Sequence, residues 1–173
     1  QELQKVAEEN YRLFNNAVTL NVITGFDGYF KRLNPTWHNL LGWTEEELKS
    51  RPLSEYIHPE DLDSTQHAIT SLLGGNHLLS FENRYRCKDG TYRWLLWGSA
   101  TDMKNQLIYA SAIDITERKR SEEALLRSKQ NLEAIALKLQ EQNRQLDEFA
   151  HIISHNLRSP VGNIKALIGL LSP

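Results

Sequence analysis

The sequence is poor in cysteine and in long apolar runs, and neither sign of charge is in clear excess. The single cysteine, Cys87, cannot form an internal disulfide, so we expect a protein of the reducing cytoplasm. No apolar run approaches the ~18 residues of a membrane-spanning helix, so we expect no membrane span. A net charge of −2 argues against nucleic acid or an anionic membrane as the main partner, because both need a basic surface.

A second absence divides the chain in two. Residues 117–159 contain no Gly, Pro, Trp or Tyr, whereas all four Trp and all six Tyr lie within residues 1–116. The later segment is rich in the strong helix formers Glu, Lys, Arg, Gln, Leu and Ala. The sequence therefore predicts a mixed α/β domain followed by one long helix. Because the chain starts at Gln1 and stops at Pro173 within an apolar stretch, we expect it to be a piece of a longer protein.

Local patterns predict the elements of the first part. The spacing of apolar residues predicts an N-terminal helix over residues 1–16. The dipeptide Asp27-Gly28 between two apolar runs predicts a β-hairpin, and Thr44 with Glu47 has the spacing of a helix capping box. A further helix is predicted to end at Gly74-Gly75, because glycine is favoured just beyond the last helical turn.

Three strands are predicted after these helices. From residue 79 to residue 88 apolar and polar side chains alternate, which is typical of a strand with one buried face. The inward set of this strand is Leu79, Phe81, Asn83, Tyr85 and Cys87. A turn at Asp89-Gly90 leads to a strand over residues 91–101, and the last strand covers residues 107–115. Short turns between consecutive strands favour an antiparallel sheet, so the predicted fold class is α+β.

Four segments, taken in order, resemble a PAS domain with its C-terminal PAC motif. They read DGYFKRLNPTWHNLLGWTEEEL, YIHPEDLDS, RYRCKDGTYRWLLW and AIDITERKR. The resemblance covers about residues 10–120 and places the sensor domain at residues 17–116. It implies a five-stranded antiparallel sheet with short helices on one face around a small cavity. It also implies a role in sensing or dimerisation, without catalytic activity in this domain.

The resemblance leaves the cofactor open, because members of this family hold flavin, haem, small metabolites or nothing. The light-sensing flavin class needs a reactive cysteine in a helix that corresponds to residues 37–42, where this chain has none. His67 lies near the position of the haem ligand, but its polar neighbours predict a solvated helix residue. The other histidines of the domain have no metal-ligand spacing. We therefore predict no identified cofactor, no assigned cofactor-binding residues and no metal, with room for a small-molecule ligand.

The last strand and the long helix meet at Asp114-Ile115-Thr116. Asp or Thr at a helix start accepts hydrogen bonds from first-turn amides, and Asp114 has capping-box spacing to Glu117. The resemblance adds that this segment is the junction through which a PAS sheet acts on its output helix. We therefore predict that Asp114 and Thr116 cap the helix and couple it to the sensor.

Apolar residues repeat every seven positions along residues 117–148, which predicts a coiled-coil signalling helix. The predicted dimer seam is the set of residues at heptad positions a and d. Its members are Leu125, Leu132, Ile135, Leu139, Leu146, Phe149 and Ile153, with polar Ser128 and Gln142 at two d positions. Four to five heptads favour a parallel homodimer, and the polar d positions help to fix its register.

Residues 149–173 begin with FAHIISHNLRSPVGNI, which resembles the phosphoacceptor box of dimeric sensor histidine kinases. The resemblance implies that His155 accepts phosphate and that Ser159 has the place of a water-positioning residue. Arg158, three residues after His155, is predicted to supply a cation for the incoming phosphate. Asn156 is a departure, because the family usually has a carboxylate there; an amide can orient the imidazole but is a poor general base. This segment is therefore predicted to be the truncated start of a dimerisation and phosphoacceptor helix.

The sequence leaves two readings of the function. The first is a cytoplasmic sensor fragment of a two-component histidine kinase, whose partners are a second copy of the chain and a response regulator receiver domain. ATP with Mg²⁺ is then implied for a kinase domain that these residues do not contain, and the fragment alone should be inactive. The second reading is a non-enzymatic PAS and coiled-coil dimerisation module with an incidental histidine. His151 and His155 could also share a metal, but no third ligand lies nearby in the sequence.

Overall fold

A computed structural model of the chain describes residues 2–170, and for Leu79 and residues 159–170 it describes the backbone alone. The chain divides into two units, one up to Arg120 and one from Ser121 onward. The described residues form five α-helices: α1 Glu2–Asn15, α2 Thr36–Leu41, α3 Glu45–Lys49, α4 Leu62–Leu73 and α5 Thr116–Leu170. They also form five strands: β1 Leu20–Gly25, β2 Phe30–Leu33, β3 Leu78–Arg86, β4 Tyr92–Asp102 and β5 Leu107–Asp114.

The strands form one antiparallel sheet in the order β2-β1-β5-β4-β3. The α+β fold with five antiparallel strands, an N-terminal helix and a long C-terminal helix is therefore confirmed. This order puts the first and last strands side by side at the centre, where Leu20 of β1 pairs with Ala112 of β5. The long helix consequently begins at the end of a central strand.

Turn and cap chemistry produce the predicted breaks in the first unit. At the β1–β2 turn Gly28 has a φ of 77°, which glycine adopts without steric cost. The Asp27 carboxylate accepts a hydrogen bond from the Tyr29 N–H at 3.1 Å and closes that turn. The predicted capping box is also present, because the Thr44 hydroxyl accepts from the Glu47 N–H and the Glu47 carboxylate accepts from the Thr44 N–H.

The core lies between the inner face of the sheet and helices α2 to α4. Four aromatic side chains are at its centre, with ring centroids 5.3 to 6.0 Å apart in successive pairs: Phe30, Trp37, Tyr85 and Trp97. The predicted alternation of β3 is present, since Asn83 and Tyr85 are buried and their neighbours are not. Asn83 is therefore a polar side chain in an apolar layer, and it needs hydrogen-bond partners there.

The second unit is helix alone in the residues that the structure describes. Helix α5 continues without a break through residues 148 and 149, the predicted boundary between coiled coil and phosphoacceptor segment. Its leucines up to Leu157 are exposed; Leu132, for example, keeps 64% of its accessible surface. Within residues 2–170, no helix has the length and hydropathy of a membrane span.

Candidate functional site

The junction between the sheet and α5 is built from backbone and side-chain hydrogen bonds. The Asp114 carboxylate accepts from the Thr116 N–H at 2.8 Å and from the Thr116 hydroxyl at 2.5 Å. The hydroxyl oxygen of Thr116 in turn accepts from the Trp94 N–H at 2.9 Å. The Ile115 N–H donates to the Trp94 carbonyl at 2.9 Å. The first residues of the helix are thus tied to strand β4 as well as to β5, from which they follow.

The structure brings the two predicted coupling residues together and adds Arg93 to them. The Arg93 guanidinium lies 3.0 Å from the second oxygen of Asp114, so one carboxylate binds both β4 and the helix start. Thr116 is 4% exposed, and its hydroxyl binds strand β4, whereas the sequence suggested a cap for helix amides. The cap is given by Asp114, which accepts from the Thr116 N–H.

A second attachment joins α5 to strand β3. The two carboxylate oxygens of Glu82 each bind one cation of the first helical turn, at 2.5 Å from Arg118 and at 2.5 Å from Lys119. The Lys119 ammonium also lies 5.1 Å from the ring centre of Trp94, within range of a cation–π interaction. The hydrogen bond from Lys119, supported by the one from Arg118, lowers the pKa of Glu82 despite its partial burial. The sequence placed Glu82 on the outer face of its strand but gave no partner for it.

A cavity of about 70 Å³, partly open to the surface, lies between the inner face of the sheet and α4. Most of its wall is apolar and includes the rings of Tyr85 and Trp97; the small polar side chains that also line it are Thr24, Thr65, Asn83 and Ser99. The volume exceeds the roughly 30 Å³ that one water takes in the liquid and is well below the ~150 Å³ of a cavity that admits benzene. As it stands, the cavity fits one or two waters or a very small ligand.

Asn83 organises the polar part of the cavity wall. Its carbonyl oxygen accepts from the Trp97 indole N–H at 2.7 Å, and its amide donates to the Thr65 hydroxyl at 3.1 Å. That hydroxyl donates to the Asp61 carbonyl at 2.7 Å, at the start of α4. A buried network of this kind is stable when each polar group has a partner. The cavity wall therefore links β3, β4 and α4 through side-chain hydrogen bonds.

The side chains that the sequence analysis considered as cofactor ligands, Cys87 and His67, do not line this cavity. Cys87 is buried next to the turn between β3 and β4, and its N–H donates to the Thr91 carbonyl at 2.8 Å. His67 is exposed on α4, as predicted, with a ring nitrogen 2.7 Å from the Asp63 carbonyl. Among the described residues no three His, Cys, Asp or Glu side chains are grouped in a way that could hold a metal ion.

The predicted phosphoacceptor segment lies on α5. His151, His155, Asn156 and Arg158 are all exposed. Ser159 is outside the residues whose side chains the structure describes. The predicted seam is exposed as well, from 72% at Leu125 to 40% at Ile153. His151 and His155 are four residues apart, so they lie on neighbouring parts of one helix surface. Both are exposed, and exposure therefore does not decide which of them accepts phosphate.

An antiparallel five-stranded sheet, helices on one face, a cavity between them and a long helix after the last strand define the fold of this domain. Residues 30–108 match the family model described as PAS fold, so the chain contains a PAS domain. Among solved structures, the PAS domain of an HTR-like protein from Haloarcula marismortui has a TM-score of 0.58 at 20% identity. It covers 66% of this chain and 95% of that one.

Three curated relatives are signalling proteins. Sensor histidine kinase TmoS of Ectopseudomonas mendocina is 25% identical over 88% of this chain, and sporulation kinase C of Bacillus subtilis is 23% identical over 97% of it. A probable diguanylate cyclase of Escherichia coli, DgcE, is 28% identical over 78% of the chain. This chain spans 16%, 39% and 13% of the lengths of these three relatives, respectively.

Proposed function

We propose that this chain is the sensor and transmitter part of a sensor histidine kinase, in which the PAS domain acts through α5 on the phosphoacceptor His155. The observation that carries the proposal is the exposed Ser154-His155-Asn156-Leu157-Arg158 segment on a helix that starts at the sensor sheet. The match to sporulation kinase C supports it. That match covers 97% of the chain and so extends over the histidine segment, whereas the match to the diguanylate cyclase leaves 22% of the chain uncovered.

The chemistry proposed for His155 needs an accessible ring nitrogen and a bound nucleotide. A neutral imidazole carries a lone pair on one nitrogen, which attacks the γ-phosphorus of ATP. The new nitrogen–phosphorus bond forms as the bond from the γ-phosphorus to the bridging oxygen breaks, ADP leaves, and the proton on the other ring nitrogen passes to water. Arg158, three residues from His155, supplies a cation for the transferred group. The ATP and its Mg²⁺ belong to a kinase domain outside these residues.

Asn156, the residue after His155, affects the rate that we propose for this transfer. An amide next to the histidine can hold the imidazole by a hydrogen bond but cannot accept its proton as a carboxylate would. We therefore propose a slower transfer to His155 than in relatives with an acidic residue at this position. The phosphoryl group then passes to an aspartate of a response regulator receiver domain, which we propose as the partner of this segment, in the cytoplasm.

A second copy of the chain is the proposed partner of the α5 seam. An isolated helix that exposes Leu125, Leu132, Leu139 and Leu146 leaves an apolar stripe in water. The stripe has a period of seven residues, and a parallel, in-register pair buries equivalent residues against each other. A parallel dimer also keeps the two PAS domains at the same end, so both can act on one bundle.

A second candidate function is an interaction module without phosphotransfer. The similarity to a probable diguanylate cyclase favours it, because that relative is 28% identical over 78% of this chain and its name describes no histidine kinase. In that case the helix would still dimerise, but His155 would have no chemical role.

Phosphotransfer separates the two candidates. The chain is joined to its kinase domain and incubated with labelled ATP, and His155→Gln is compared with His151→Gln. We expect acid-labile label on the wild-type protein and on His151→Gln, and none on His155→Gln. Label that survives in His155→Gln, or that disappears only in His151→Gln, contradicts the assignment of His155.

A further inference from the structure

Strand β3 has two different functions on its two faces. Phe81 and Asn83 line the cavity, while Glu82 lies between them and points to the other face, since side chains alternate along a strand. Glu82 there binds two cations of the first turn of α5, Arg118 and Lys119. Glu82, which binds the helix, is therefore the direct chain neighbour of two residues that line the cavity, Phe81 and Asn83.

The cavity side of β3 is held tightly. Asn83 is 2% exposed, and both ends of its amide group are hydrogen-bonded, to Trp97 of β4 and Thr65 of α4. Phe81 pairs with Trp97 in the register of the two strands. Protein interiors are close-packed and transmit strain, so a change in the volume inside the cavity must move its wall.

The start of β3 is the least regular part of this strand. β3 is the edge strand beside β4, and its register with β4 is irregular between Leu78 and Phe81, whereas further along the strand the His58 N–H donates to the Arg84 carbonyl at 2.9 Å on the outer edge. The junction around Asp114 and Thr116 attaches α5 to the neighbouring strands β4 and β5. Movement of β3 relative to those strands therefore changes the position of Glu82 relative to the helix start.

We propose that Glu82 is a positioning residue that couples the contents of the cavity to the first turn of α5. A displacement of Phe81 and Asn83 shifts Glu82, and Glu82 carries Arg118 and Lys119 with it. This inference deepens the proposed sensor function and rests on it: it names the strand through which the sensor acts.

The test uses the 173-residue chain and needs no kinase activity. Two substitutions alter the cavity from elements other than β3: Ala110→Val reduces its volume and Ile69→Val enlarges it. Each is made in the wild-type chain and in Glu82→Gln, which keeps the shape of the side chain and removes its charge. The readout is the hydrogen-exchange rate of the Lys119 amide, which donates to the Ile115 carbonyl, normalised to the Cys87 amide. Glu47→Gln is the matched control, because Glu47 pairs with Lys88 and not with α5.

Glu82→Gln alone is expected to raise exchange at Lys119 by about fivefold, as the loss of two ion pairs would. In the wild type and in Glu47→Gln, each cavity substitution is expected to change this rate by about twofold or more. In Glu82→Gln the same substitutions should leave it unchanged. Equal changes with and without Glu82, or no change from either cavity substitution in the wild type, overturn the proposal. These outcomes do not depend on whether His155 is phosphorylated, so failure of the coupling and failure of the proposed kinase function are separable.

Discussion

The backbone N–H of Trp94 donates a hydrogen bond to the side-chain hydroxyl of Thr116, with an N to Oγ1 distance of 2.9 Å. Thr116 is buried, so this bond is shielded from water where strand β4 meets the first residue of α5. The same hydroxyl donates to the Asp114 carboxylate. One threonine side chain therefore closes a hydrogen-bonded chain from β4 through the helix start to the end of β5.

Replacing Thr116 by Val tests this bond. Valine has nearly the same shape but leaves the partly buried Trp94 N–H without its acceptor, so we expect the free energy of unfolding to fall by about 1–3 kcal/mol. Thr116→Ser keeps the hydroxyl and loses one methyl group, which costs only about 0.8 kcal/mol. Urea unfolding followed by tryptophan fluorescence measures both variants. A smaller loss for Val than for Ser contradicts a structural role of the hydroxyl.

Asn83→Leu tests the polar part of the cavity wall. Leucine is similar in size but leaves the buried Trp97 indole N–H unpaired, so we expect a loss of about 1–3 kcal/mol in the free energy of unfolding. Trp97→Phe removes that donor, and the double variant should lose less than the sum of the two single variants. Strict additivity of the two losses in urea unfolding would mean that the Asn83–Trp97 bond contributes nothing.

The ion pairs of Glu82 with Arg118 and Lys119 should depend on pH. The pKa of Glu82 in the folded chain lies below its ordinary value of 4.5 because of the hydrogen bonds from Lys119 and Arg118. A lowered pKa means that the contact contributes its full stability above pH 4.5 and loses it as the pH falls through the lower folded value. We expect the NMR signals of the Arg118 and Lys119 side chains to shift in that range. The shift should be absent in Glu82→Gln, and a transition that persists there would assign the titration to another carboxylate.

The proposed dimer seam of α5 is tested by replacing two leucines in its middle with aspartate. Leu132→Asp together with Leu139→Asp should give a monomer in sedimentation analysis, because two charges at a positions cannot be buried in a coiled coil. The PAS domain should stay folded in this variant. Leu126→Asp with Leu137→Asp is the matched control, since these leucines are also exposed on α5 but lie outside positions a and d. A dimer that persists in the first pair, or that is lost equally in the control, rules out this seam.

The elements of the fold could be predicted from patterns among residues close together in the sequence. The side-chain contacts between residues far apart in the sequence could not be predicted. The turn at Asp27-Gly28 and the capping box at Thr44 depend on residues within a few positions, and so does the alternation along β3. The partners of Asn83 lie 14 and 18 residues away, and those of Glu82 lie 36 and 37 residues away along the chain. Such pairs depend on the register of the sheet and on where the first turn of α5 lies against it. The alternation along β3 placed Asn83 on the buried face of the sheet and Glu82 on the other face. It could not predict which residues form hydrogen bonds or ion pairs with them.

The most direct test of the account is an insertion series after Arg120, read by phosphate on His155 in the chain joined to the proposed kinase domain. One inserted residue turns the helix beyond it by about 100° relative to the sensor, and seven inserted residues nearly restore the original phase. If the sheet acts on His155 through the helix, phosphorylation should vary with insert length with a period of about seven residues. The one-residue and seven-residue inserts should then differ clearly, with the latter close to wild type. A level of phosphorylation that stays flat across inserts of about one to seven residues contradicts coupling of the sensor to His155 through α5.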